Sequence, residues 1–178
     1  ISDEENERIL SQLRREMGNI VLIGMPGSGK SSIGQLLADL TGREAVDIDQ
    51  KIMDRAGCSI PEIFASRGEA AFRELEREET ATAGRDSGKI LLTGGGVVKD
   101  FRNYASLHQN GRIYHLIRDL SVLPTDGRPL SQGADLAAMW QQREPLYRAF
   151  RDVSMDNNGP AAETAQAIWR DFCAHIGD

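Results

Sequence analysis

Residues 24–31 read Gly-Met-Pro-Gly-Ser-Gly-Lys-Ser, a glycine, four residues and then Gly-Lys-Ser, which is the pattern of a loop that cradles phosphate. Glycines allow successive backbone N–H groups to converge on an anion, and a helix beginning at the loop adds its positive end. In such a loop Gly27, Ser28, Gly29, Lys30, Ser31 and Ser32 contact the nucleotide. Lys30 reaches the β- and γ-phosphates and the Ser31 hydroxyl ligates Mg²⁺. The bland alternative is a glycine-rich turn with an exposed lysine. Against it stand the apolar run 20–23 before the loop and Ile33, Leu36, Leu37 and Leu40 at helical spacing after it, so the loop joins a buried strand to a helix. The chain is therefore expected to bind ATP or GTP.

Three further groups could carry chemistry. Asp47 and Asp49 lie two apart at the end of a second strand pattern, 45–48, which puts both carboxylates on one face. At the C-terminal end of a parallel strand they would sit beside the phosphate loop, near Mg²⁺ and a phosphoryl acceptor; elsewhere such acids are turn residues or helix caps. Residues 90–96, ILLTGGG, form an apolar strand that breaks into Gly94, Gly95 and Gly96. Three glycines after a buried strand point to backbone brought against a ligand. Arg73, Arg128 and Arg143 are ordinary as single arginines, but their settings differ from the rest: Arg73 follows Phe72 in a helical pattern, Arg128 lies in the turn-rich segment 124–130, and Arg143 precedes Glu144-Pro145, where a helix should stop.

Positioning these groups requires a scaffold that the apolar pattern supplies. Short apolar runs at 20–23, 45–48, 90–93, 112–117 and 153–155 alternate with helical patterns, as expected for a three-layer α/β/α fold around a five-stranded parallel sheet. Residues 2–17 read as an added N-terminal helix opened by a Ser2/Glu5 capping box, with Ile9, Leu10, Leu13 and Met17 on one stripe, docked outside the domain. Ser59 and Glu62 form a second box opening a helix that ends near Gly68; further helices are expected at 69–83 and 161–176.

A chain of 178 residues is one ordinary domain, able to bury about 70% of its unfolded surface without disulfide or metal. A net charge of −6 argues against a nucleic-acid partner, which usually requires a basic stripe. Cys58 and Cys173 stand alone and read as reduced. No apolar run reaches the ~20 residues of a membrane span and no signal pattern opens the sequence, so the expected setting is the cytoplasm.

GMPGSGKSS, DID followed by a helix, SIPEIFASRGEAAFRELE, TGGG, RPL and REPLYR occur in the order and at the spacing of the shikimate kinase family. The chain resembles that family over about residues 18–175. The resemblance implies a P-loop kinase architecture, with a helical substrate region at 50–83 and a short lid at 119–131, that uses ATP and Mg²⁺ to phosphorylate the 3-hydroxyl of shikimate as a monomer. It assigns Mg²⁺ to Ser31 and Asp47, the substrate hydroxyls to Asp49, and the substrate carboxylate to Arg73 and Arg143. It assigns the floor beneath the reacting groups to Gly94, Gly95 and Gly96, and lid closure over the transferring phosphoryl group to Arg128; Lys30, Asp49 and Arg128 are the catalytic set. Residues 119–127, DLSVLPTDG, are shorter than the lids of many members and lack a basic residue, which leaves the adenine-side contact in question. Two alternatives stay open: a kinase for another polyhydroxylated acid such as gluconate, and a noncatalytic nucleotide-binding module.

Overall fold

The computed structural model describes residues 1–123 and 133–175. Their order is α1 (Asp3–Met17), β1 (Asn19–Ile23), α2 (Lys30–Thr41), β2 (Ala45–Asp47), α3 (Ile48–Ala56), α4 (Ile60–Arg67), α5 (Glu69–Gly84), β3 (Ile90–Leu92), α6 (Arg102–His108), β4 (Gly111–Ile117), α7 (Gly133–Phe150), β5 (Val153–Asp156) and α8 (Ala161–His175), with one-turn 3₁₀ helices at Val97–Lys99 and Leu120–Val122. The five strands form one parallel sheet in the order β2-β3-β1-β4-β5, with all five at the positions expected from the apolar runs.

Alternation along β1 divides the core in two. Val21 and Ile23 join Leu91, Ile113, Ile52, Phe72 and Tyr147 on one face, whereas Ile20 and Leu22 join Ile90, Ile33, Leu37 and Ile168 on the other. Helices α2 and α8 cover the second face; α3 to α7 contribute to the first. Because β1 lies between β3 and β4, the connections leaving it and β3 diverge. The crevice of an open parallel sheet lies at such a point, beyond the strand C-termini.

Three local expectations are corrected. The second strand ends at Asp47, so Asp49 is not its strand-face neighbour but lies in the first turn of α3. The cause is Asp47 itself, whose carboxylate accepts the Gln50 N–H at 3.2 Å and caps the new helix. Pro145 does not stop a helix, since α7 runs through it to Phe150. The carbonyl left without its usual partner belongs to exposed Gln141, which water can satisfy, while Tyr147 and Phe150 beyond the proline are buried and hold the helix on the core. At α4 the Ser59 hydroxyl accepts the Glu62 N–H at 3.3 Å, but no return bond from Glu62 completes the box among the described residues.

The N-terminal helix has its full capping box, yet none of its residues is buried. Its last turn is tied down, with the Met17 carbonyl accepting from Gly88 N–H and from Asn110 Nδ2 at 2.9 Å each. The stripe Ile9, Leu10, Leu13 and Met17 stays 45–53% exposed, so the expected docking is confined to the C-terminal end. No helix among the described residues is long and apolar enough to cross a membrane.

Candidate active site

The phosphate loop follows β1 directly, and α2 begins at Lys30. Gly29 is the residue before the helix and has φ +102°, in the region that favours glycine. A Cβ there would also lie 2.4 Å from Asn157 Nδ2, whose amide donates to the Ser28 carbonyl at 2.8 Å. The Lys30 amine spans the loop, donating to the Gly24 carbonyl at 2.6 Å and the Met25 carbonyl at 3.0 Å.

The loop forms one wall of a cleft of about 970 Å³, lined by Gly27, Gly29, Lys30, Ser31 and Ser32 on one side and by Asp47, Asp49, Gly94, Gly95 and Arg143 on the other. Ser28 is buried beneath the loop and contributes no lining. Ile60, Pro61, Phe64 and Met139 give the far end of the cleft an apolar surface.

The three glycines act sterically, each making room for a different polar side chain. A Cβ on Gly94 would lie 2.7 Å from Asp49 Oδ1, one on Gly95 would lie 3.2 Å from Arg143 Nη1 and 2.8 Å from Pro26, and one on Gly96 would lie 2.5 Å from both terminal nitrogens of Arg73. The segment after β3 thus gathers an acid from α3, a cation from α7 and a cation from α5. Gly94 and Gly95 line the cleft, and Gly96 continues the same segment against Arg73.

Electrostatics follow from this packing. Burial pushes the Asp49 carboxyl above its ordinary value, nearby Asp47 adds to the rise, and Lys30 and Arg73 oppose it. Asp49 Oδ1 is buried without a hydrogen-bond partner, an orphaned acceptor in the cleft wall. Asp47 is exposed at the cleft with a carboxylate, and Ser31 offers a hydroxyl, so the donors available to a cation are hard oxygens of the kind Mg²⁺ takes.

Several residues escaped the sequence reading. Glu76, 1% exposed, accepts from Arg73 Nη1 at 2.8 Å, and burial raises its carboxyl against the lowering effect of Arg73. The helical spacing from Arg73 to Glu76 was the available signal. Tyr147 is fully buried; its hydroxyl, pushed up to about 12 by burial, donates to the Gly95 carbonyl at 2.6 Å. His115 on β4 stacks on Tyr147 with ring centroids 4.6 Å apart, and its pKa is lowered to about 4 by burial, then by Arg151 and Lys30. Arg118 and Asn157 also flank the phosphate loop, Arg118 in the cleft wall and Asn157 through Ser28. Arg128 lies outside the described residues.

A family profile described as shikimate kinase matches residues 26–173. The shikimate kinase of Xanthomonas euvesicatoria pv. vesicatoria is 42% identical over 163 residues, covering 85% of this chain and 91% of that protein. Among solved structures, shikimate kinase from Acinetobacter baumannii in complex with shikimate superposes with a TM-score of 0.85 at 30% identity, covering 94% of this chain and 99% of that one. Shikimate kinase from Aquifex aeolicus superposes with a TM-score of 0.76 at 27% identity, covering 89% and 99%.

Proposed function

The chain belongs to the shikimate kinase family, and we propose that it transfers the γ-phosphoryl group of ATP to the 3-hydroxyl of shikimate, giving ADP and shikimate 3-phosphate on the route to chorismate and the aromatic amino acids. The observation that carries the reading is the wall facing the phosphate loop, where Gly94, Gly95 and Gly96 leave room for Asp49, Arg143 and Arg73. A carboxylate that accepts hydroxyls, set among two guanidinium groups that pair with a carboxylate, is complementary to a small hydroxylated acid.

The roles follow from the chemistry of phosphoryl transfer, in which positioning and charge stabilisation do most of the catalysis. Nucleotide binding exchanges the two carbonyl partners of Lys30 for phosphate oxygens, with Gly27, Ser28, Gly29, Ser31 and Ser32 supplying the loop. Ser31 and Asp47 would hold Mg²⁺, which neutralises charge on the β- and γ-phosphates when bound. Asp49 accepts from the substrate hydroxyls with its orphaned oxygen, and its raised pKa suits it to receive the proton that the 3-hydroxyl loses as the new P–O bond forms and the bond to ADP breaks. Arg73 and Arg143 clamp the substrate carboxylate, Glu76 aligns Arg73, and Tyr147 holds the Gly95 carbonyl so that the glycine wall keeps its shape. Arg128 is assigned to the transferring phosphoryl group, helices α3 to α5 to substrate binding, and the segment 119–131 to a short lid. The proposed working unit is a monomer in the cytoplasm.

The test is ADP release by the purified chain with Mg²⁺ and ATP, alone and with shikimate, gluconate or quinate. Stimulation by shikimate alone is expected. Turnover with gluconate but not shikimate, or ATP binding without turnover, would overturn the assignment.

A further inference from the structure

The nucleotide side of the cleft holds a cation that no motif accounts for. Arg118 lies one residue beyond β4 and lines the same cleft as Gly27, Gly29, Lys30 and Ser31. It is half-buried and makes no hydrogen bond or ion pair among the described residues, so no carboxylate of those residues claims its charge.

Its backbone is held in place from both sides. The Ile117 carbonyl accepts the Asn157 N–H at 2.8 Å, and the Asp119 N–H donates to Asn158 Oδ1 at 2.8 Å. The same turn reaches the phosphate loop through Asn157 Nδ2 and the Ser28 carbonyl, also at 2.8 Å. Arg118 thus stands on a segment bracketed by two hydrogen bonds to a turn that is itself tied to the loop. A guanidinium placed on such a support loses less freedom on pairing than one carried by a long lid. Charge balance points the same way. A nucleotide polyphosphate carries several negative charges, Lys30 is the one cation of the phosphate loop, Arg73 and Arg143 belong to the opposite wall, and residues 119–127 contain no lysine or arginine, which leaves Arg128, assigned above to the transferring γ-phosphoryl group, as the one basic residue of the segment 119–131.

We infer that Arg118 is a nucleotide-binding residue that pairs with the phosphate chain, supplying from the end of β4 a positive charge that residues 119–127 do not provide. The inference rests on the nucleotide reading of the cleft, not on the identity of the acceptor. Its test compares the unaltered chain with Arg118→Ala and Arg118→Lys, using displacement of a fluorescent ADP analogue by ADP and by adenosine at low and high salt, together with steady-state kinetics. Arg118→Ala is expected to weaken ADP roughly tenfold at low salt, with the difference shrinking at high salt. Adenosine binding should be unchanged, Arg118→Lys should recover part of the loss, and the rise in KM should fall on ATP with shikimate KM within about twofold. Unchanged ADP affinity in Arg118→Ala would overturn the inference, and an equal loss for adenosine would overturn the phosphate assignment. If the unaltered chain bound ADP but failed to phosphorylate shikimate, the acceptor assignment would fall while the Arg118 comparison still decided this one; failure to bind ADP at all would remove both.

Discussion

Gly96→Ala adds one methyl group to the glycine wall, and its three nearest neighbours would all be guanidinium atoms of Arg73, Nη1 and Nη2 at 2.5 Å and Cζ at 2.8 Å. Ordinary contact begins near 3.4 Å, so the guanidinium must retreat by about 1 Å. The backbone at Gly96, φ −99° and ψ 10°, admits alanine without a left-handed conformation. What yields is the far end of a flexible side chain, so the folding cost should stay below about 1 kcal/mol. The catalytic cost should be larger, because a displacement of about 1 Å in a substrate-positioning group can lower the rate about 10²-fold, or about 2.7 kcal/mol of transition-state stabilisation. Coupled ADP release, measured against shikimate at saturating ATP and against ATP at saturating shikimate, should show the loss in kcat/KM for shikimate, with the KM for ATP little changed. Thermal unfolding should shift by a few degrees at most. Gly42→Ala is the opposite case: φ is +74° with nothing within 4 Å of the added carbon, so it should cost about 1 kcal/mol of stability and leave the kinetics alone. A Gly96→Ala enzyme with shikimate kcat/KM within twofold of the parent would refute the clamp geometry, as would a loss explained wholly by unfolding.

Two further outcomes separate positioning from folding. Glu76→Gln keeps a hydrogen-bond acceptor for Arg73 but removes the charge, and should lower kcat/KM for shikimate about tenfold with a stability change of about 1 kcal/mol or less at neutral pH, since Arg73 also pairs with Glu69 at 3.4 Å and is not stranded. Burial raises the Glu76 pKa, so the parent loses stability as pH rises from the unfolded value through the folded one; the variant's stability relative to the parent should therefore increase over that range, and a parallel pair of urea titrations across pH checks it. His115 has the opposite sign. Its folded pKa is lowered to about 4 from an ordinary 6.5, so the unfolded chain binds the extra proton between those values and stability falls as pH drops through that window, by up to about 3 kcal/mol. His115→Phe, which keeps the stack on Tyr147, should remove that component, and identical pH dependence of unfolding in parent and variant would contradict the burial argument.

Much of the molecule was legible because its signals are local. Strand periodicity, the Ser2 cap, the Ser59 cap and the phosphate-loop pattern each occupy a few adjacent residues, and all five strands and the capped starts of these helices stand where those signals put them. Where two local signals competed, sequence had no means of ranking them. Asp47 could end a strand with its side chain free or cap the next helix, and capping shortened the strand. Pro145 carries a helix-stop signal, but burial of Tyr147 and Phe150 outweighed it.

The chemistry divides along the same line. Sequence alone determined that a strand, a phosphate loop and a helix follow one another, because that motif is built from contiguous backbone, and the order of the shorter motifs carried the family resemblance. Only the tertiary structure decided that Gly94 faces Asp49 and Gly96 faces Arg73, that Glu76 is buried against Arg73, that Tyr147 reaches the Gly95 carbonyl and that Arg118 lines the same cleft as the phosphate loop. Apart from the i,i+3 pair of Arg73 and Glu76, these relations join segments distant in the chain. Even for that pair, the burial that sets the charge state arises only when the helices close on the sheet and exclude water.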